Sequence, residues 1–423
     1  MNRFKRYERY KDSGVEWLGE IPEHWGVIKL KYVTKLAYGD SLPTENREEE
    51  GEVDVFGSNG KVGTHNVANT LSPVIIVGRK GSYGKVTYSD KKCFAIDTTY
   101  YIDNRCTKSN IKWLYYSLMV LELDKNSQDT GVPGLSREYA YNKYVPVPTV
   151  NEQVAIANFL DQKTAEIDGL IADKEKLIEL LQEKRQAIIT EAVTKGLNPN
   201  VRMKDSGIEW IGEIPEHWRL SKIKYESLIN NKTLSESTDD DYEIDYIDIS
   251  SVTSIGEIDG VQSLNFKDAP SRARRILYKG DTIVSTVRTY LKAIAFIENA
   301  QSNLICSTGF AVLTPLSKVV PKYLFYLMRS EKYVNEIVRR SVGVSYPAVN
   351  ASDIGALECA LPDRDEQMYI VEYLDNCTTQ INQLVNDIQA QIQKLKEYRQ
   401  SLISEIVTGK IDVREFADKV EVI

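Results

Sequence analysis

The stretch Lys11-Asp-Ser-Gly-Val-Glu-Trp-Leu-Gly-Glu-Ile-Pro-Glu-His-Trp25 returns as Lys204-Asp-Ser-Gly-Ile-Glu-Trp-Ile-Gly-Glu-Ile-Pro-Glu-His-Trp218. Thirteen of fifteen positions are identical, and both exchanges, Val15/Ile208 and Leu18/Ile211, are apolar swaps. Chance does not produce such a match, so the chain is a tandem duplication. A second match starts at Pro148-Thr-Val-Asn-Glu-Gln153 and Pro362-Asp-Arg-Asp-Glu-Gln367. It continues through Leu160-Asp161 and Leu374-Asp375, then Arg185-Gln186 and Arg399-Gln400, and ends near Thr194 and Thr408. The first match has an offset of 193 positions and the second 214, so the unmatched middle is 21 residues longer in the second copy.

This arithmetic divides the 423 residues into six parts. Residues 1–25 hold the short motif, 26–148 a variable region and 149–197 a long helical segment. Residues 198–218 hold the second motif, 219–362 a second variable region and 363–423 a second helical segment with a tail. Duplicated frames around divergent inserts describe one scaffold presenting two different readers.

The matched segments are helical. Apolar residues recur every seventh position at Leu160, Ile167, Leu181 and Ile188, with Lys174 in the series, and at Leu374, Ile381, Ile388, Leu395 and Leu402. A second seam is expected through Leu170 and Leu177 in the first copy, and through Cys377, Leu384 and Tyr398 in the second. Sustained heptads predict a coiled coil, here between the two helices, since neither buries its seam alone. Lys174 and Gln391 stand where polar residues set register. About 45 residues at ~1.5 Å each predict a rod of roughly 65–70 Å. Gly196 and Gly409 mark the helix ends, with Pro199 just beyond the first.

The variable regions read as mixed α/β with short strands. Val74–Val77 predicts a strand, Gly78–Gly84 a turn and Lys85–Tyr88 a second strand. Thr282–Val287 reads likewise as a strand. Each region then carries an aromatic helix, through Trp113–Tyr116 and Tyr323–Tyr326, whose spacing predicts core packing.

Composition narrows the function. Hydrophobic residues make up 42% and charged residues 27%, values that exclude wholesale disorder. The five cysteines have no C-x-x-C spacing and the three histidines lie far apart, which disfavours a disulfide scaffold and a zinc cluster. No apolar run approaches the ~20 residues of a membrane helix, and the first residues lack the apolar core of a secretion signal, so a cytoplasmic location is expected. The net charge of −8 argues against nucleic acid only if spread evenly. Residues 151–197 carry −3 and 363–423 carry −5, so the remainder is neutral and has room for a basic cleft.

Catalytic motifs are missing. Gly78-x-x-Gly81-x-x-Gly84-Lys85 fails as a phosphate loop, because Arg79 holds the leading glycine position and Val86 follows the lysine. Neither a G-x-S-x-G elbow nor an H-E-x-x-H helix is present, and Asn198-Pro-Asn200 fails as an adenine-methyltransferase motif. His24 and His217 recur beside Pro and Trp and read as packing residues. No metal is expected, and the chain reads as an adaptor rather than an enzyme.

The whole plan resembles the DNA-specificity subunit of type I restriction–modification systems. The W-x-G-E-I-P-E-H-W strings, Val77–Val86 with Asp97-Thr-Thr-Tyr100, Gly131-Val-Pro-Gly-Leu-Ser136, the P-x-x-x-E-Q strings and Gly280–Arg288 carry the resemblance. It implies an α+β fold: two mixed α/β target-recognition domains separated by two long helices in an antiparallel coiled coil, with pseudo-twofold symmetry. Each domain then reads one half of a bipartite, asymmetric site in double-stranded DNA. Two adenine methyltransferase subunits and, for restriction, two motor-nuclease subunits are the implied partners. S-adenosylmethionine, ATP and magnesium belong to those partners, and the chain itself needs no cofactor. A stand-alone tandem DNA-binding module of repressor type is the alternative. A protein-only coiled-coil adaptor and a nuclease are weaker ones.

Candidate DNA contacts follow from residue chemistry. In the first region they are Arg79, Lys80, Ser82, Tyr83 and Lys85 on a glycine-rich turn open to close approach, with Asn59 and Arg137 beside it. In the second, Arg272, Arg274 and Arg275 form the densest basic cluster. Arg288, Tyr290 and Lys292 follow a strand, and Tyr346 lies in Gly343-Val-Ser-Tyr-Pro347, which matches the Gly-Val-Pro string of the first region.

Overall fold

The computed structural model describes residues 4–48, 50–125, 133–343 and 346–419. Of the strings above, Gly131, Val132, Val344 and Ser345 lie outside the described residues. The chain forms two compact units: Met1–Lys174 with Ala390–Ile423, and Glu175–Gln389. The two long helices, Val150–Lys195 and Arg364–Val407, each give one part to each unit. A unit therefore holds a short motif, its variable region, the start of one long helix and the end of the other.

Inside each unit the helices pack antiparallel. In the first, Arg399 Nε lies 2.9 Å from Asp168 Oδ1, and Lys174 Nζ donates to Gln391 Oε1 at 2.7 Å. In the second, Ile189, Ala192 and Val193 share a core with Ile370 and Leu374. The column Leu160, Ile167, Leu374, Ile381, Ile388 and Leu402 is buried, with Leu181, Ile188 and Leu395 half-buried.

The second column differs from expectation. Leu170, Leu177 and Leu384 are 51%, 45% and 50% exposed, and Tyr398 is exposed too. The seam instead takes the residues four positions after each heptad leader. These are Thr164, Ile171, Ile178, Arg185 and Ala192, and in the other copy Thr378, Val385, Ile392, Arg399 and Ile406. A second seam sits either three or four positions from the first. Threonine and arginine disguised the true one, while leucines advertised the false one. The polar members are accommodated by bonds: Tyr116 Oη meets Thr164 Oγ1 at 3.1 Å, and Arg399 meets Asp168.

Both variable regions share a topology. In the first, four strands order as Ala37–Tyr38, Thr99–Ile102, Val74–Gly78 and Val86–Ser89. In the second, the same order reads Ser227–Ile229, Phe310–Pro315, Thr282–Ser285 and Ile294–Phe296. The hairpin Val74–Gly78 and Val86–Ser89 registers Val77 against Val86. Entry and exit strands pair in each region, Gly26–Lys29 with Tyr144–Val147 and Arg219–Lys222 with Glu358–Leu361. A second sheet has three strands in the first region and four in the second. The additional one, Ala273–Ile276, falls in the copy with the longer middle. The aromatic helices Ile111–Met119 and Pro321–Arg329 bury Trp113, Tyr116, Tyr323 and Tyr326 in the core.

Candidate nucleic-acid interface

The recurring motifs build the frame that carries the loops. Glu152 accepts a bond from Trp25 Nε1 at 3.2 Å and lies 2.8 Å from His24 Nε2. Glu366 repeats both contacts with Trp218 and His217, at the same distances. Each glutamate is the third residue of its helix, where the open N-terminus favours a carboxylate. Burial pushes the Glu152 carboxyl up, but bonds from Thr149, His24 and Trp25 outweigh it and hold the group below the usual carboxylate range. The next residue does a separate task. Gln153 Oε1 accepts from Asn110 N at 2.9 Å and Gln367 Oε1 from Val320 N at 2.8 Å, each at the start of an aromatic helix. The E-Q pair thus ties the short motif and the variable region to one helix start, and both histidines are spent in packing.

A polar cluster the sequence did not reveal fixes the aromatic helices to the rod. Tyr116 Oη donates to Asp161 Oδ1 at 2.7 Å, and Lys112 Nζ reaches Asp161 Oδ2 at 2.8 Å. Tyr326 and Lys322 repeat this on Asp375 at 2.6 and 3.0 Å. Burial, first of all, raises both phenols far above their ordinary range, so they stay neutral and give their one O–H to the aspartate.

Of the candidate DNA-contacting residues, Arg79, Lys80, Ser82, Tyr83 and Lys85 in the first region and Arg288, Tyr290 and Lys292 in the second lie on the loop after an inner strand of the four-stranded sheet, Val74–Gly78 or Thr282–Ser285. In the first region the loop pairs with the segment before helix Arg137–Asn142: Gly81 N donates to Pro133 O at 3.2 Å and Leu135 N to Arg79 O at 2.8 Å. In the second, Arg288 N donates to Pro347 O and Val349 N to Thr286 O, both at 2.8 Å. Pro133–Leu135 and Pro347–Val349 therefore occupy the same place in the fold.

Arg79 and Arg137 converge on one ring. Their guanidinium carbons lie 5.4 and 4.8 Å from the centroid of Tyr38, which is 48% exposed. Arg79 is anchored by two bonds to Asp97 O, at 3.0 and 2.7 Å. Tyr38 also packs on Tyr100, whose hydroxyl is pushed up to about 12, chiefly by burial. Tyr38 sits on a two-residue strand without a motif, so nothing in the sequence singled it out. In the second region Arg288 stacks 4.7 Å over the exposed Tyr346. Arg288 and Lys292 both adopt left-handed backbone around the turn Thr289–Leu291, and Tyr290 is exposed between them. Such strain in non-glycine residues persists only where surrounding structure enforces it, and it concentrates at functional sites.

Other candidates are placed less openly. Lys80 and Ser82 are exposed and Tyr83 half-buried, while Lys85 Nζ is tied to Asn59 through O and Oδ1 at 2.8 and 2.9 Å. Two glycines of this turn are required by its own packing, while Gly81 is exposed. A Cβ on Gly78 would lie 2.2 Å from Ser82 O, and one on Gly84 2.3 Å from Asp124 N. The basic cluster of the second region is not one patch. Neighbouring residues of a strand face opposite ways, and here Arg274 covers Phe266 at 4.4 Å while Arg275 turns to Thr233 Oγ1 at 3.3 Å. Arg272 alone of the three is exposed. Among the described residues no group of three metal-ligating side chains occurs, and no helix is long and apolar enough to cross a membrane.

Comparison with known proteins completes the picture. The profile of the type I restriction modification DNA specificity domain matches residues 22–180 and again 215–394. The specificity subunit of type I restriction enzyme MjaVIII from Methanocaldococcus jannaschii is 22% identical, over 93% of this chain and 94% of its own length. That of EcoDI from Escherichia coli is 20% identical, over 96% and 93%. A chain from a solved structure concerned with complex assembly and conformational transition of the type I R-M system superimposes with a TM-score of 0.65. It is 14% identical and covers 92% of this chain and 98% of that one, so it shares the fold.

Proposed function

We propose a division of labour from one premise: the chain belongs to the type I restriction–modification DNA specificity family, carries its domain twice, and is a specificity subunit with two target-recognition domains. Each domain reads one half of a bipartite DNA site, and the two half-sites differ because the loops differ. The arginine–tyrosine stack on the loop after the central strand is the observation that carries this reading. A guanidinium held against a ring keeps its donors oriented, and arginine pairs bidentately with guanine O6 and N7. Arg79, Arg137 and Arg288 are the base readers. Lys80, Lys85, Arg272, Lys292 and the exposed Tyr290 and Ser82 position the backbone, since phosphate contacts outnumber base contacts in such interfaces.

The chain acts without chemistry of its own. Two methyltransferase subunits and two motor subunits supply it, with S-adenosylmethionine, ATP and magnesium held by them, in the cytoplasm where the DNA lies. The exposed column at Leu170 and Leu384 supports the count of two. These residues are 214 positions apart in the duplicated frame and offer the same apolar feature once in each unit. Leu170→Glu and Leu384→Glu together abolish co-purification of the methyltransferase and leave the Tm of the chain unchanged. Retained co-purification rejects this face. The helices set the unread gap between half-sites. One heptad added to both lengthens it by about 3 base pairs, at ~1.5 Å per residue and ~3.4 Å per base pair, with both half-sites intact.

The deciding experiment co-expresses the chain with its methyltransferase and maps methylated adenines across the host DNA. One bipartite motif with a fixed gap is expected. Soluble, co-purifying subunits without new methylation overturn the proposal.

A further inference from the structure

Arg185 and Arg399 are one residue in two copies, 214 positions apart. Arg399 meets Asp168. The position aligned with Asp168 in the other copy is Asn382, which brings no charge. Arg185 instead donates Nη2 to Ile255 O at 3.3 Å, and its Nε has no partner. Arg329 lines the same cleft and is 6% exposed. Its Nη1 and Nη2 reach Ile294 O and Ser254 O at 3.3 and 3.1 Å, and its Nε is also unpartnered. The aromatic helix of the first copy has Met119 at this place. The second unit has therefore gained a buried guanidinium, Arg329, beside the half-buried Arg185, and lost the carboxylate that pairs Arg399 in the first.

Backbone carbonyls do not neutralise them. Burial, and after it Arg185, draws Arg329 down to about 9. Glu183 and Glu331 line the cleft and Glu257 bears on both guanidinium groups from further away, yet among the described residues no carboxylate comes within 4.0 Å of either. A buried cation without a close counter-charge is among the costliest features a fold carries. Space for a counter-ion exists. The cleft encloses about 580 Å³, and Lys292 of the strained turn stands at its rim.

We propose that this cleft is a phosphate-binding site, formed by Arg185 and Arg329 with Lys292, and peculiar to the second unit. The oxyanion accepts from the guanidinium N–H groups that the carbonyls leave over, Arg185 Nη1 among them, and holds Lys292, bracing the turn Thr289–Leu291. The phosphate comes either from solution or from the backbone of DNA lying along Arg288–Lys292. The second source rests on the function proposed above; the first does not.

The test is thermal unfolding of the full chain in phosphate against chloride at matched ionic strength. At phosphate near ten times its dissociation constant the Tm rises by about 2–4 °C. Arg329→Met removes this rise. Equal Tm values in both salts overturn the site, and so does an undiminished rise in Arg329→Met. Should that variant fail to fold, Asn382→Asp decides, because it gives Arg185 the carboxylate of the first copy. It raises the Tm in chloride and at least halves the phosphate response; an unchanged response overturns the proposal. The salt dependence of DNA binding by the methyltransferase complex separates the sources. A slope smaller by about one in Arg329→Met assigns the phosphate to DNA. An equal slope with the thermal response intact in the parent assigns it to solution.

Discussion

Phe159 and Tyr373 stand at the same place in the two copies and meet opposite fates. Phe159 is buried under Phe4 and Phe416, with ring centroids 5.9 and 4.7 Å away. Tyr373 is 42% exposed beside a groove lined by Leu197, Pro199 and Met203. The same contrast runs through the frame. The motif of the first unit packs against Gly409 so closely that a Cβ there would lie 2.4 Å from Pro22 Cδ. Gly196, the glycine at the other helix end and one position off the 214-residue frame, would meet nothing nearer than Glu366 Oε1, at 3.1 Å. Duplication copied the parts, and each unit then sealed its helix end with whatever chain was at hand. The lesson is that identical motifs do not ensure identical energetics.

The glycines break this comparison most sharply. Both have positive φ, so any side chain is strained, but only Gly409 adds a backbone-fixed clash. Gly409→Ala is expected to cost about 2–4 kcal/mol and Gly196→Ala about 1–2, read by urea unfolding. Equal costs would show that the two ends are sealed alike. Glu152→Gln comes next, at about 1–3 kcal/mol, since it leaves Trp25 and His24 with a poorer acceptor. Its pH dependence has a definite sign. The folded carboxyl lies below its ordinary range, so its contribution is present above the unfolded value and is lost as pH falls through the folded one. The acid limb of stability should flatten in Glu152→Gln; a parallel limb refutes the assignment.

Binding sharpens the comparison of the two readers. Arg137→Ala and Arg288→Ala should each weaken specific binding by about 1–3 kcal/mol and relax selectivity in one half-site only. Equal weakening on random DNA would make the residue a phosphate contact. The smallest effect belongs to the shared polar cluster. Tyr116→Phe and Tyr326→Phe should each cost about 1 kcal/mol, matched within error, because both aspartates keep their lysine. A clear difference would mean that the clusters carry different loads.

The exposed leucines show where reading a sequence reaches its end. That the two long helices run antiparallel was implied by the family resemblance alone. Heptad spacing located both helices and required a partner to bury the first seam. It could not place the second seam, because Thr164, Arg185, Thr378 and Arg399 look unfit for a core until their partners are known. Those partners are remote in sequence: Tyr116 lies 48 positions from Thr164, and Asp168 lies 231 from Arg399. Glycine and charge picked out the loops proposed to meet DNA. Tyr38 was not, since an isolated tyrosine on a short strand has no signature.

Repetition alone settled the architecture. Two offsets, 193 and 214, fixed a duplicated scaffold, two divergent readers and a longer insert in the second, because those properties are recorded residue by residue. Tertiary structure decided which charges are neutralised. Arg185 and Arg399 are the same letter at equivalent positions, one beside Asp168 and the other facing Arg329. Electrostatic energy depends on distance and burial, and a linear sequence specifies neither until the chain has folded.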